Sequence, residues 1–146
     1  MLFRGDAMET AEIRWIGKQE FVAKGPSGHA VVLDADRGSN VGCGPMELLL
    51  LALGSCTATD LVIILEKKRE KLEGLEVICS GERAKEPPRV WTKMELLFRA
   101  RGEVTEDSVK KAIVLSEEKY CSVWAMLGKT AAISWRCEIV GAKDAG

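Results

Sequence analysis

Residues 44–60 read GPMELLLLALGSCTATD, and this stretch decides how the rest of the chain must fold. Pro45 stands where proline is favoured, in the first turn of a helix, and Glu47 follows where an acid suits the positive helix end. The pattern predicts a helix over residues 45–71, ahead of Gly74. At about 1.5 Å per residue, a helix of that size is roughly 40 Å long and crosses the whole body of a small protein.

The first half of this predicted helix, residues 48–53, is apolar on every face. A helix tolerates such a surface only where it is covered all round. One chain of 146 residues supplies little material for that purpose, so we expect a homodimer in which both copies cover the helices. Charged and small polar residues interrupt the stretch, which favours a buried helix of a soluble protein over a membrane span.

The remaining elements are short and regularly spaced. The loop over residues 34–44 is rich in Gly, Asp and Asn, and Thr105 is a good N-cap for a second helix. The predicted strands cover residues 11–16, 20–24, 30–33, 75–84, 90–101 and 133–139, and the second helix covers 106–119 with a helical turn at 120–127. This order predicts an α+β fold in a single domain over residues 1–146, with residues 1–10 as a disordered extension.

Composition excludes several classes of function. The chain has 21 Lys and Arg against 22 Asp and Glu, a net charge of -1, so we expect neither a nucleic acid nor a membrane as partner. The five cysteines form no CxxC pair, and the single histidine, His29, lies in a turn. An odd number of thiols argues against a disulfide framework and against a zinc site, so we expect no metal. Residues 1–10 lack the features of a signal peptide, which favours a cytoplasmic protein with free thiols.

Cys56 lies where the apolar helix turns small and polar. Small residues around a thiol make room for a ligand or for another backbone, and the alternative is that Cys56 is a small apolar residue at a tight helix crossing. Asp60 follows one turn later, and its charge would raise the pKa of a neighbouring thiol. Cys121 lies at a second break, where the second helix ends or bends. Of the other thiols, Cys79 and Cys137 fall in strand patterns typical of the core, and Cys43 is expected to be exposed.

Taken together, these features resemble the OsmC/Ohr family of thiol-dependent peroxidases. The resemblance rests on residues 44–56 and on the segment Tyr120-Cys121-Ser122-Val123, whose cysteine follows Cys56 by 65 positions. It implies an intertwined homodimer with two central helices wrapped by antiparallel β-sheets.

The resemblance also implies a mechanism. Cys56 would be the peroxidatic thiolate that attacks a hydroperoxide, and Cys121 would resolve the resulting sulfenic acid as a disulfide. An external dithiol would reduce that disulfide, with no metal, flavin or haem required. An apolar lining would favour organic hydroperoxides, and the residues expected to form it are Leu49, Leu53, Val123 and Trp124.

The chain departs from the family pattern at the two partners of the reactive thiolate, a glutamate and an arginine. Met46 occupies the position of the glutamate, and Glu47 follows it as either the partner or a plain helix-end acid. Lys18 falls near the position of the arginine, with Arg14 and Arg37 as other candidates, and lysine lacks the bidentate fork. These departures support a second hypothesis, an OsmC-fold binding or redox-sensing module with little turnover. A third hypothesis makes Cys56 an acyl-transfer nucleophile without a role for Cys121.

Overall fold

The computed structural model describes residues 8–141, which form two compact units divided between Leu49 and Leu50. The extension predicted over residues 1–10 lies mostly outside the described residues, and residues 8–10 belong to no helix or strand. The single-domain assignment stays a prediction. Helices and strands together confirm the predicted α+β class.

The N-terminal unit contains a three-stranded antiparallel sheet in the order β1-β2-β3. Its strands are β1 (Glu12–Gly17), β2 (Glu20–Lys24) and β3 (Ala30–Asp34), within one residue of the predicted ranges. Lys18 takes a positive φ of 45° in the first hairpin turn, where its carbonyl accepts a 2.9 Å hydrogen bond from the Trp15 indole. The two hairpins therefore form where glycine-containing turns were predicted.

Asp34 organises the loop that follows β3. Its carboxylate accepts hydrogen bonds from the Asp36 N–H at 2.8 Å, the Ser39 hydroxyl at 2.9 Å and the Val41 N–H at 3.1 Å. Hydrogen bonds from Val41, Asp36 and Ser39, together with the charge of Lys18, hold the pKa of Asp34 below its usual value. The loop predicted over residues 34–44 is thus an ordered turn built around one carboxylate.

Helix α1 covers Pro45–Lys67 and begins where Pro45 predicts, but it ends four residues earlier than expected. The Arg69 N–H bonds the Glu66 carbonyl at 2.9 Å, and the Glu70 N–H bonds the Leu65 carbonyl at 3.0 Å. This pair of bonds is a Schellman motif, in which Arg69 takes the left-handed conformation with a φ of 58°. The predicted helix end at residue 71 was wrong because a glycine usually marks the left-handed position of this motif, and here Arg69 occupies it.

The C-terminal unit is built on a second three-stranded sheet in the order β4-β5-β6. Its strands are β4 (Lys71–Arg83), β5 (Trp91–Glu103) and β6 (Ala132–Val140). Strands β4 and β5 are antiparallel, as the family resemblance implies, whereas β5 and β6 run parallel, so that expectation was wrong for β6. The physical reason is the connection, since a crossover through helices returns the chain in the same direction.

The connection between β5 and β6 contains three helical segments. They are α2 (Glu106–Leu115), a single π-helical turn that we call the π-turn (Ser116–Tyr120), and α3 (Ser122–Leu127). Thr105 caps α2 as predicted, its hydroxyl accepting a 3.1 Å hydrogen bond from the Ser108 N–H. The regular helix predicted over residues 106–119 was wrong in its last turn, which the π-turn replaces.

The core of this unit lies between its helices and one face of the sheet. The alternating apolar residues of β5, Met94, Leu96, Phe98 and Ala100, are all buried. Helix α1 contributes Leu53, Leu61 and Leu65 to the same core. Buried side chains of α2 and α3 complete it: Val109, Ala112, Ile113 and Trp124.

Arg69 offers a test of how α1 ends. A residue other than glycine pays about 1–2 kcal/mol in the left-handed region, whereas glycine loses about 0.5–1 kcal/mol of chain entropy on folding. We therefore expect Arg69→Gly to raise the free energy of unfolding by about 0.5–1 kcal/mol in urea denaturation. The matched control Lys68→Gly, one residue earlier, should lower it, and a destabilised Arg69→Gly protein would contradict the assigned motif.

Candidate functional site

Cys56 lies half-buried near the middle of α1, among residues that satisfy their own polar groups. The hydroxyls of Ser55, Thr57 and Thr59 each donate to a carbonyl of the preceding helical turn, at 2.7, 3.0 and 2.8 Å. A Cβ added at Gly54 would lie 3.8 Å from atoms of both Cys79 and Val77, so the helix packs closely on β4 there. That distance is ordinary van der Waals contact, so a methyl group would fit at this position without displacing β4.

Cys121 occupies the junction between the π-turn and α3. Its N–H donates to the Ser116 carbonyl at 2.8 Å, five residues back, and this bond closes the π-turn. Its sulfur caps α3 by accepting a 3.3 Å hydrogen bond from the Trp124 N–H. The side chain is almost fully buried, with 3% of its surface exposed.

The two predicted reactive thiols, Cys56 and Cys121, interact directly although they lie far apart in the sequence. Burial and hydrogen bonding with the Cys56 side chain raise the pKa of the Cys121 thiol to about 12, against the opposing effect of the Trp124 N–H. All five cysteines are free thiols. The structure therefore holds a reduced cysteine pair in which Cys121 keeps its proton at neutral pH.

An acid on α1 joins this pair through a residue that sequence reasoning did not connect to it. Asp60 lies one turn after Cys56, and its Oδ2 accepts a 2.7 Å hydrogen bond from the hydroxyl of Ser116, which is fully buried. The negative charge of Asp60 adds to the raised pKa of Cys121. The sequence linked Asp60 to the Cys56 thiol one turn away, whereas the structure shows its effect at Cys121. Ser116 had no signal beyond its place in the helical pattern.

A second contact fixes the π-turn to the sheet. The Trp135 indole N–H of β6 donates to Glu117 Oε2 at 3.2 Å. Ser116 and Glu117 are adjacent residues, so the π-turn is bonded to α1 on one side and to β6 on the other. Cys121 therefore follows a π-turn whose first two residues, Ser116 and Glu117, are hydrogen-bonded to other elements.

The other predicted catalytic residues belong to the N-terminal unit. Arg14 lies exposed on β1 opposite Val22, and Lys18 lies in the hairpin turn. Glu47 hydrogen-bonds Cys43, which is half-buried rather than exposed as expected, and this bond raises the pKa of Cys43. The roles of Arg14, Lys18 and Glu47 at Cys56 stay predictions.

The residues predicted to line a substrate pocket are mostly enclosed. Leu53 and Trp124 lie in the core of the C-terminal unit, Val123 packs beside it, and Leu49 is half-buried in the other unit. Different residues line a groove of about 360 Å³ that includes Asp60 and Tyr120, and neither Cys56 nor Cys121 is part of its lining. The remaining lining residues are three apolar side chains, Ile63, Ile64 and Leu115, and two lysines, Lys67 and Lys68.

The two remaining cysteines lie on strands and pack against the core. Burial raises the pKa of Cys79 to about 11, and burial also raises the pKa of Cys137. The strand patterns predicted that both thiols lie in the core, and the structure places them half-buried at its edge. Nothing in the described part of the chain pairs either of them with a second cysteine.

Comparison with known proteins agrees with this architecture. The sequence model of the family described as OsmC-like protein matches residues 38–136. Protein YhfA of Escherichia coli (strain K12) is 38% identical over 133 residues, covering 90% of this chain and 98% of the relative. The crystal structure of a hypothetical protein from Aquifex aeolicus VF5 is 31% identical, covers 92% of this chain and 98% of its own, and has a TM-score of 0.79. The chain belongs to the OsmC-like protein family.

A more distant likeness concerns the fold alone. The organic hydroperoxide resistance protein OhrB of Bacillus subtilis is 9% identical over 90% of this chain and 98% of its own, with a TM-score of 0.67. OsmC-like proteins are soluble, and α1 is the one helix of residues 8–141 that is long and apolar enough to cross a membrane. The core helix of a soluble protein passes the same test of length and composition.

The raised pKa of Cys121 predicts how this thiol reacts with alkylating reagents. Only the thiolate reacts, so we expect the rate of alkylation by iodoacetamide to keep rising to about pH 10, past the ordinary thiol pKa of about 8.5. Peptide mapping by mass spectrometry measures this rate for Cys121 separately from the other cysteines.

A variant isolates the contribution of the neighbouring sulfur. Cys56→Ala removes the hydrogen bond that raises the pKa of Cys121, so the alkylation profile of Cys121 should move to lower pH. The matched control Cys137→Ala should leave the profile where it is. A wild-type rate that levels off near pH 8.5 would contradict the buried, paired environment assigned to Cys121.

Proposed function

We propose that this protein is a cysteine-based peroxidase that reduces organic hydroperoxides through Cys56 and Cys121. The support for the proposal is that these two side chains, far apart in the sequence, pack on the same hydrophobic core, where the Cys56 side chain contributes to the raised pKa of the Cys121 thiol. A thiol that is oxidised to a sulfenic acid needs a second thiol within reach to form a disulfide before further oxidation. The Cys56 and Cys121 side chains meet that requirement among free cysteines.

The proposed cycle has three steps. The Cys56 thiolate attacks the O–O bond of the hydroperoxide, becomes a sulfenic acid and releases an alkoxide that takes up a proton as an alcohol. The Cys121 sulfur then attacks the Cys56 sulfur, the S–S bond forms, and the hydroxyl group leaves as water with the Cys121 proton. An external dithiol reduces the disulfide by exchange and restores both thiols. The cycle uses no metal and no organic cofactor.

The groove lined by Asp60 and Tyr120 supports an organic rather than an inorganic hydroperoxide. Asp60 at its edge is one helical turn from Cys56, and Tyr120 precedes Cys121. The apolar walls would gain from covering an alkyl or aryl group, whereas hydrogen peroxide offers no apolar surface. Under this proposal the protein works in the reducing cytoplasm, where dithiol reductants are available.

Intact mass tests the cycle. Reduced protein treated with about one equivalent of cumene hydroperoxide should lose the mass of two hydrogen atoms in the wild type, as a disulfide forms. Cys121→Ser should gain one oxygen atom on Cys56 instead, and Cys56→Ser should stay unchanged.

The control variant is Cys137→Ser, which removes another half-buried thiol and should behave as the wild type does. Hydroperoxide consumption that survives Cys56→Ser would refute the assignment of the peroxidatic thiol. A wild type that stays reduced would refute the peroxidase and leave the groove as the site of a binding or sensing function.

We further propose that the working form is a homodimer. Each unit exposes large apolar side chains, with Trp15 66% exposed on the first sheet and Leu51 56% exposed on α1. Others with more than a third of their surface exposed include Ile13, Ile16, Val62, Ile63 and Met126. A second copy of the chain would cover such residues at a self-complementary interface.

Light scattering at micromolar concentration should therefore give twice the 16.0 kDa mass of the chain. Trp15→Glu and Leu51→Glu place a charge on the apolar surfaces and should shift the mass toward the monomer. Lys129→Glu, at an exposed polar position, is the matched control and should leave the dimer intact. A monomeric wild type would overturn the proposal.

A further inference from the structure

A side-chain hydrogen bond between Asp60 and Ser116 joins α1 to the π-turn. It is short, at 2.7 Å, and Ser116 is fully buried. A hydrogen bond to an ionised carboxylate is roughly twice as strong as one between neutral groups, so it resists rearrangement more than an ordinary hydroxyl contact would. The bond therefore fixes the start of the π-turn against the helix that carries Cys56.

Ser116 also holds Cys121 through its backbone. The Ser116 carbonyl accepts the Cys121 N–H at 2.8 Å, in the five-residue bond that defines the π-turn. Ser116 is thus bonded to α1 by its side chain and to Cys121 by its main chain. Two hydrogen bonds in series connect the helix of one thiol to the backbone of the other.

The π-turn sets the direction in which Cys121 points. One extra residue in a helical turn rotates everything that follows by about 100°, because an α-helix advances 3.6 residues per turn. Such turns are often found at functional sites. If the π-turn relaxed to an ordinary helix, the Cys121 side chain would leave its present direction and lose its contact with Cys56.

We propose that Asp60 and Ser116 are positioning residues that hold the π-turn so that Cys121 reaches Cys56 in the disulfide-forming step. This inference deepens the proposed peroxidase function and rests on it. In this step the Cys121 sulfur attacks the Cys56 sulfenic acid, the S–S bond forms and water leaves. Ser116 is fully buried and does not touch the hydroperoxide in this scheme, so the attack by Cys56 should not depend on it. Asp60 also lines the proposed groove, so its positioning role is measured on the disulfide-forming step alone.

The test separates the two chemical steps. Rapid acid quenching and intact mass follow the sulfenic acid and the disulfide after a single addition of cumene hydroperoxide. Ser116→Ala should form the sulfenic acid at the wild-type rate. After the sulfenic acid has formed, both Ser116→Ala and Asp60→Ala should close the disulfide about tenfold or more slowly, as expected for a misplaced reacting group. With excess peroxide both variants should accumulate products that carry two or three added oxygen atoms.

Two further variants separate positioning from a general loss of structure. Asp60→Asn keeps an oxygen that can accept the Ser116 hydrogen bond, so it should restore most of the disulfide rate that Asp60→Ala loses. Ser55→Ala removes a hydroxyl beside Cys56 that bonds only its own helix, and it should match the wild type. Thermal unfolding of each variant shows whether it is folded. If Ser116→Ala is not folded, the comparison of disulfide-closure rates between Asp60→Ala and Asp60→Asn tests the positioning role instead.

A second oxidant keeps this inference distinguishable from the peroxidase proposal. Diamide forms disulfides from neighbouring thiols without any hydroperoxide, so the rate of the Cys56–Cys121 disulfide can be measured even if the protein reduces no peroxide. Slower closure in Asp60→Ala with both oxidants supports the positioning role, and slower closure with diamide alone supports it while refuting the peroxidase. Equal closure rates in all variants would overturn it, and so would an Asp60→Asn rate as low as that of Asp60→Ala.

Discussion

The packing of α1 against the sheet of the C-terminal unit is the constraint on which the site depends. Leu53, Leu61 and Leu65 fill the core with the inward face of β5, and the helix faces Val77 and Cys79 of β4 at Gly54. These contacts fix both the rotation and the height of the helix. Cys56 therefore lies half-buried at a defined place, facing the segment that brings Cys121 back to it. Any change that rotates α1 would therefore displace the Cys56 thiol from Cys121.

The second thiol is placed by a less regular device. A continuous α-helix through residue 120 would be easier to form, because an α-helix needs no side-chain partners to hold an extra residue in its turn. The π-turn instead draws on neighbours, with Ser116 bonded to Asp60 and Glu117 bonded to Trp135. Burial of Ser116 makes its bond costly to leave unmade, since an unpaired hydroxyl in the core forfeits its hydration. The irregular segment is thus maintained by contacts from two different elements.

Much of this arrangement follows from the sequence, and the remainder depends on contacts between distant residues. Pro45 marks the start of α1, Thr105 marks the start of α2, and the alternation in β5 identifies its buried face. The end of α1 was missed because an arginine takes the left-handed position that glycine normally signals. The parallel direction of β6 and the π-turn were missed because neither has a local signature. The thiol pair itself was expected only through a family resemblance, since spacing alone does not bring residues 56 and 121 together.

The protonated state of Cys121 fits the order of the proposed steps. A thiol whose pKa is raised to about 12 supplies almost no thiolate at neutral pH, so Cys121 does not compete with Cys56 for the hydroperoxide. The same proton is useful once Cys56 has become a sulfenic acid, because hydroxide is a poor leaving group and water is a good one. Cys121 carries the proton that converts one into the other. Burial and the neighbouring sulfur would thus keep Cys121 out of the first step, and in the second step its sulfur must give up this proton as it attacks.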